Sequence, residues 1–126
     1  GDDAFVAAIS NGARAELREV RVAGIVDVGV KCEGEGKVVL DNVSVPVCRV
    51  GLIATDCSSL EATNCVIIAS VCSLQAFGKS HIRAEGCTLS GRLERDTGSA
   101  VVAASDCVFR GGMPQHLVVP RRGSEE

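Results

Sequence analysis

The stretch "LEATNCVI" (residues 60–67) returns 22 residues later as "IRAEGCTL" (residues 82–89). Three more segments fit the same eight-residue frame: "AELREVRV" (15–22), "VVLDNVSV" (38–45) and "VAASDCVF" (102–109). The sixth positions of the five segments are separated by 23, 22, 22 and 20 residues. A repeat of this length is typical of a solenoid, in which each unit buries its apolar side only by stacking on its neighbours.

The pattern inside each segment indicates strands rather than helices. The first, third, sixth and eighth positions are apolar or small, so the alternation of a strand is interrupted once, between the third and sixth positions. The fifth position holds residue types that tolerate a positive φ, namely Asn42, Asn64, Gly86 and Asp106. We therefore predict two short strands joined by a sharp left-handed corner. Glu19 holds this position in the first segment, where we expect a looser corner.

A second series of positions repeats at the same spacing. Val28, Val50 and Cys72 are 22 residues apart, and Gly34, Asp56 and Gly78 form a second column of turn residues. Each coil then has two or three short strands and no room for a helix, and the leucine-rich-repeat signature is absent. The sequence predicts an all-β parallel β-helix.

The phrases "DNVSV", "TNCVI", "EGCTL" and "SDCVF" resemble those of the pectin-lyase-like superfamily over about residues 15–109. The resemblance implies a right-handed, single-stranded parallel β-helix of about four to five coils. It also implies an interior column of Cys65, Cys87 and Cys107. The segment "DDAFVAAISNG" predicts a short N-terminal capping helix within residues 1–14, as is usual in this family. The β-helix would span residues 15–110, and residues 111–126 a C-terminal cap or tail.

Composition narrows the possible partners. The chain has 126 residues, a formal charge of −3, and neither Trp nor Tyr, so we expect no nucleic acid and no anionic membrane as partner. Seven cysteines contain no C-x-x-C pair, which argues against a metal site. We predict buried, reduced thiols in an intracellular, cytoplasmic protein, with Cys57 as the exposed exception.

Signals for catalysis are few. The candidate acids are Asp41, Glu61, Glu85, Glu94, Asp96 and Asp106. They do not fall in pairs on one rung. The nucleophile-elbow and phosphate-loop motifs are also missing. We interpret His81 as a surface histidine. The sequence therefore favours a non-enzymatic protein without cofactor or metal.

The predicted function is a protein–protein interaction or scaffold module, as part of a larger intracellular protein. The coil between Cys87 and Cys107 is two residues short and contains the polar stretch "SGRLERDTGS" (residues 90–99), which predicts a contact loop with Arg92, Glu94, Arg95 and Asp96. Glu61 and Arg83 are predicted to face outward on adjacent coils as an exposed ion pair. The alternatives are a carbohydrate-active or carbohydrate-binding domain, and a structural β-helix that forms homo-oligomers through its ends.

Overall fold

A computed structural model describes residues 5–9, 12–95 and 100–110 of the chain. The described part consists of strands joined by turns. In chain order these are β1 (Phe5–Ile9), β2 (Arg14–Arg18), β3 (Val26–Cys32), β4 (Lys37–Asp41), β5 (Ser44–Ala54), β6 (Ser59–Thr63), β7 (Val66–Ala76), β8 (His81–Glu85), β9 (Thr88–Arg95), β10 (Val101–Ser105) and β11 (Val108–Arg110).

The strands form two parallel sheets that run along one axis. Sheet A has the order β1-β3-β5-β7-β9-β11, and sheet B has the order β10-β8-β6-β4-β2. The chain alternates between the sheets, so each coil adds one strand to each of them. Leu60 on β6 is the register partner of Ile82 on β8, which is the 22-residue repeat of the sequence. The predicted parallel β-solenoid is confirmed.

The corner between a sheet B strand and the following sheet A strand is left-handed in every coil. Asn42, Asn64 and Asp106 have φ values of 59°, 54° and 55°, and Gly86 has 65°. The Asn64 amide donates 2.9 Å to the Glu85 carbonyl of the next coil. The expectation of a looser corner at Glu19 was wrong, because its φ is 54° and its amide makes the same bond to Asp41 at 2.9 Å. The hydrogen bond between coils therefore outweighs the cost of holding a glutamate at a positive φ.

The turn from sheet A back to sheet B repeats as well. Gly34, Asp56 and Gly78 have φ values of 62°, 60° and 69°. The buried hydroxyl of Ser58 donates to the Cys32 carbonyl at 3.0 Å and lies 2.7 Å from the Thr55 carbonyl. These contacts give the buried hydroxyl its partners, while both carbonyls also accept backbone amides, from Thr55 at 2.9 Å and from Ser58 at 3.1 Å.

The long strands of sheet A bend in the middle. β5 and β7 each have 11 residues, and their pairing shifts register on both sides of Cys48. A Cβ atom at Gly51 would lie 2.4 Å from Ile67 Cγ2, so this position faces the core. Val28, Val50 and Cys72 form a small buried apolar cluster at the bend, separate from the main core.

The main core lies between the two sheets. It consists of aliphatic side chains and thiols in columns, such as Leu60 above Ile82, both at most 1% exposed. Cys65 and Cys87 are each 1% exposed, while Cys107 at the last coil is half-buried. The predicted interior cysteine column is therefore present.

The N-terminal prediction needs a correction. Phe5–Ile9 forms strand β1 rather than part of a capping helix, and Phe5 is the register partner of Val28. A strand here satisfies the backbone groups along the edge of β3, which a helix could not pair. Residues 1–4, 10 and 11 lie outside the described residues, as do the predicted C-terminal cap or tail at 111–126. Within the described ranges, no helix is long and apolar enough to cross a membrane.

Candidate functional site

Glu61 and Arg83 lie side by side on the outer surface of sheet B, as the repeat predicts. They are register partners on β6 and β8. In the described part of the chain, however, no ion pair within 4.0 Å joins them. Together with His81 and Ala103 they line a depression of about 240 Å³, which exists because Ala103 is much shorter than its neighbours. His81 is exposed, in line with its interpretation as a surface residue.

Three of the four predicted contact residues do not lie in a loop. Arg92, Glu94 and Arg95 lie in strand β9, paired with Cys72, Gln75 and Ala76 of β7. The shortening of this coil falls in the bend of sheet A instead, since β9 has 8 residues where β7 has 11. Pairing with β7 continues because each broken rung would leave backbone groups unsatisfied. Asp96 lies outside the described residues.

The β9 side chains contact their own neighbours. Gln75 Nε2 donates 2.7 Å to Glu94 Oε1, and Arg92 lies 3.9 Å from the same carboxylate. Arg92 is the register partner of Cys72 and so ends the buried column of Val28, Val50 and Cys72 at the bend. These charges are on sheet A, whereas Glu61 and Arg83 are on sheet B. The two predicted sites therefore do not converge.

The structure reveals a surface that sequence reasoning missed. Large apolar side chains are exposed on sheet A between the corner and the bend, namely Val47 at 47%, Val66 at 38% and Val108 at 60%, and Ile25, which directly precedes β3, is 80% exposed. Ile68 is half-buried and lies two residues from Val66 on the same strand. We call this surface the apolar face and define it by Ile25, Val47, Val66, Ile68 and Val108.

Two parallel columns build the apolar face. One passes through register neighbours in the order Arg21, Ser44, Val66, Thr88 and Val108. In the other, Ile68, Ser90 and Arg110 are register partners on β7, β9 and β11. Val47 lies at the register shift before Cys48 on β5, and Ile25 directly precedes β3. The only charged residues in these columns are Arg21, at the start of the first column, and Arg110, at the end of the second, and both are exposed. Between these two arginines the surface is apolar or hydroxylic.

A sequence signal for the apolar face was present. The stretch "VIIA" (residues 66–69) is apolar at four consecutive positions, which is typical of a strand that is covered on both sides. The described residues cover only its inner side. The eight-residue repeat did not predict the apolar face, because it defines the inward-facing positions and does not restrict the outward-facing ones.

The environment of most thiols opposes nucleophilic chemistry. Burial raises the pKa of Cys48 to about 11 and also raises the pKa values of Cys32 and Cys72. Cys57 is exposed, as predicted. Among the described residues there is no group of three or more side chains suited to hold a metal ion.

Cys65 and Cys87 affect each other. Contact with the Cys65 thiol, together with burial, raises the pKa of Cys87. The same contact lowers the pKa of Cys65 to about 7. Cys65 is only 1% exposed, however, so an external electrophile has no direct access to its sulfur.

The chain matches no protein-family model, no curated protein and no solved structure. Its function therefore has to be inferred from the geometry of these surfaces.

Proposed function

We propose that this chain is a non-enzymatic interaction module that binds a protein partner through the apolar face. One observation carries the proposal: among the described residues, the exposed hydrophobic side chains Val47, Val66 and Val108 lie on strands of sheet A, and Ile25 directly precedes β3 of the same sheet. Single exposed apolar residues are ordinary, but a contiguous set indicates a contact surface.

The charge pattern defines the chemistry of the partner. The centre of the apolar face has no cation to hold a phosphate or an acidic glycan, and its polar groups are the hydroxyls of Ser44, Thr88 and Ser90. Arg21 and Arg110 at the corners favour carboxylates. The surface that fits is an apolar strand or sheet of another protein, bordered by acidic side chains.

The rigid solenoid supports this role. Hydrogen bonds between coils fix the spacing of both columns, so little conformational entropy is lost when a partner covers them. Burial of apolar surface contributes roughly 25 cal/mol per Å². The chain contains no Tyr or Trp, the side chains on which sugars usually stack, and this favours a protein over a carbohydrate.

Two further parts of the proposal concern relationship and location. We infer a right-handed winding of the pectin-lyase-like type, because crossover connections between parallel strands are right-handed in nearly all proteins. We infer an intracellular, cytoplasmic setting because the cysteines are free thiols. The module would form part of a larger scaffold protein.

The test starts with photo-crosslinking in cell lysate from position 90, which lies within the apolar face as the register partner of Ile68. The captured protein is then purified, and its affinity is measured for the parent and for a Val66→Lys variant. We expect at least about tenfold weaker binding, because the substitution would place a charge in an apolar contact. The matched control is Val39→Lys on the outer surface of sheet B, where Glu16 and Glu61 flank the site in register.

Other variants separate the competing surfaces. Arg21→Glu with Arg110→Glu should weaken binding and reverse its dependence on salt, whereas Glu61→Ala with Arg83→Ala should not affect it. A partner that is lost from the Glu61/Arg83 variant, or from Arg92→Ala/Glu94→Ala/Arg95→Ala, but not from Val66→Lys would overturn the proposal. Binding on a glycan array would support the carbohydrate alternative, and concentration-dependent sedimentation would support self-assembly through the ends.

A further inference from the structure

Three cysteines, Cys65, Cys87 and Cys107, occupy one position of the repeat on consecutive coils. Each directly follows a left-handed corner residue and precedes a sheet A strand. Thr88 N donates to Cys65 O at 2.9 Å, and Val108 N donates to Cys87 O at 2.8 Å, so the three cysteines are stacked in register. Neighbouring strands in a sheet lie about 4.8 Å apart.

Their thiols are oriented alike. Each donates to the carbonyl two residues earlier: Cys65 to Thr63 at 3.4 Å, Cys87 to Glu85 at 3.5 Å and Cys107 to Ser105 at 3.4 Å. Contact with the Cys65 thiol raises the pKa of Cys87, and the Cys87 thiol contributes, after burial, to the raised pKa of Cys107. The three side chains therefore form one column along the interior of the solenoid.

Accessibility differs along the column. Cys65 and Cys87 are each 1% exposed, whereas Cys107 in the last described coil is half-buried. Cys107 is therefore the most accessible member of the column.

We propose that Cys107 and Cys87 are a modification site at which peroxide forms a disulfide between the last two described coils. The Cα atoms of disulfide-bonded cysteines are usually about 4.4–6.8 Å apart, a range that includes the spacing of adjacent strands, and their Cβ atoms are about 3.5–4.5 Å apart, so the two corners must approach slightly as the bond forms. The bond would close a loop of 20 residues and hold β10 and β11 onto β8 and β9.

The chemistry needs one equivalent of hydrogen peroxide. The Cys107 sulfur attacks a peroxide oxygen, the O–O bond breaks, and one water leaves as the sulfenic acid forms. The Cys87 sulfur then attacks the Cys107 sulfur, the S–O bond breaks, and the hydroxyl leaves as a second water with the proton from Cys87. Two thiols lose two electrons in total, and peroxide gains them. Burial raises the pKa of Cys107, so the first step should become faster as the pH rises.

The experiment uses the Cys57→Ser variant, because the exposed Cys57 thiol would react on its own. The protein is treated with hydrogen peroxide, free thiols are alkylated under denaturing conditions, and the digest is mapped by non-reducing mass spectrometry. We expect a peptide that links Cys87 to Cys107, two fewer alkylated cysteines, and a higher melting temperature that returns to its starting value with dithiothreitol.

Two matched variants test the order of steps. Cys87→Ala fills the buried site with a small apolar residue and removes the second sulfur, so the Cys107 sulfenic acid should persist and react with dimedone. Cys107→Ser should give neither product. A linkage of Cys65 to Cys87 alone, over-oxidation of Cys107 without a linkage, or complete alkylation of both cysteines after treatment would each refute the proposal.

Discussion

The backbone amide of Gly34 donates a 3.0 Å hydrogen bond to the Oδ2 carboxylate oxygen of Asp56, which lies one coil further along the solenoid. Both residues have a left-handed backbone conformation in the same turn column. A second hydrogen bond joins the same two turns: the backbone amide of Cys57 donates to the Gly34 carbonyl at 2.9 Å. The aspartate thus connects two turns with its side chain and tolerates the positive φ that the turn requires.

Substitution of Asp56 should separate these two effects. We expect Asp56→Ala to lower the free energy of unfolding by about 1–3 kcal/mol, because it loses the hydrogen bond and retains a strained left-handed residue. Asp56→Gly loses the same bond without the strain and should cost less. Chemical denaturation of the three proteins measures the difference. Equal losses in both variants would mean that backbone strain at this turn is negligible.

Gly51 should be intolerant of any side chain. A Cβ atom there would lie 2.4 Å from both Ile67 Cγ2 and the Ser73 carbonyl oxygen. We expect Gly51→Ala to destabilise the protein by about 1–3 kcal/mol or more, because the backbone oxygen cannot move without breaking the bend. Gly24→Ala is the control, since Gly24 has a φ of 99° but open space around it. Thermal unfolding should show the larger loss for Gly51→Ala.

The ion pair between Asp27 and Arg49 should make stability depend on pH. Arg49 Nε donates 2.7 Å to Asp27 Oδ1, and this hydrogen bond lowers the pKa of the Asp27 carboxyl. Because the pKa of Asp27 is lower in the folded than in the unfolded protein, the ion pair stabilises the fold fully at pH values above the unfolded pKa of about 4. This contribution is lost as the pH falls through the folded pKa.

We therefore expect Asp27→Asn to lower the melting temperature at pH 7, by an amount that shrinks below about pH 4. Glu35→Gln provides the control, because Glu35 is exposed and takes part in no ion pair of the described residues. A constant difference between Asp27→Asn and the parent across this range would contradict the prediction.

Glu61 and Arg83 should contribute little to stability. They face outward as register partners without a salt bridge between them in the described ranges. We expect the double variant Glu61→Ala/Arg83→Ala to unfold within about 0.5 kcal/mol of the parent in chemical denaturation. A double-mutant cycle would detect any coupling, and a coupling energy above about 1 kcal/mol would contradict this prediction.

The repeat made most of the fold predictable. The spacing from Val43 to Cys65 to Cys87 indicated stacked coils, and Asn42 and Asn64 marked left-handed corners; both predictions are confirmed. The N-terminal segment was misread because "FVAAI" is compatible with an apolar helix stripe as well as with a strand. Its pairing with β3 is a non-local interaction, and local periodicity contains no information about the edge that a segment will cover.

Function was less predictable, because it depends on outward-facing residues. The short coil was correctly recognised as irregular, but the deletion fell in the bend of sheet A rather than in a loop, which placed Arg92 and Glu94 on a strand. Local sequence also offered no reason to connect Val47 with Val108, which are 61 residues apart and are both exposed on strands of sheet A.

The sequence by itself determined the solenoid, its period, its corners and the interior column of Cys65, Cys87 and Cys107. These follow from the requirement that every coil present the same apolar and turn-forming residues to its neighbours. Only the tertiary structure decided where sheet A bends, which strand pairs with the edge of β3, and which exposed residues share a surface. Those features arise from contacts across the fold, where backbone pairing and steric fit outweigh local preference.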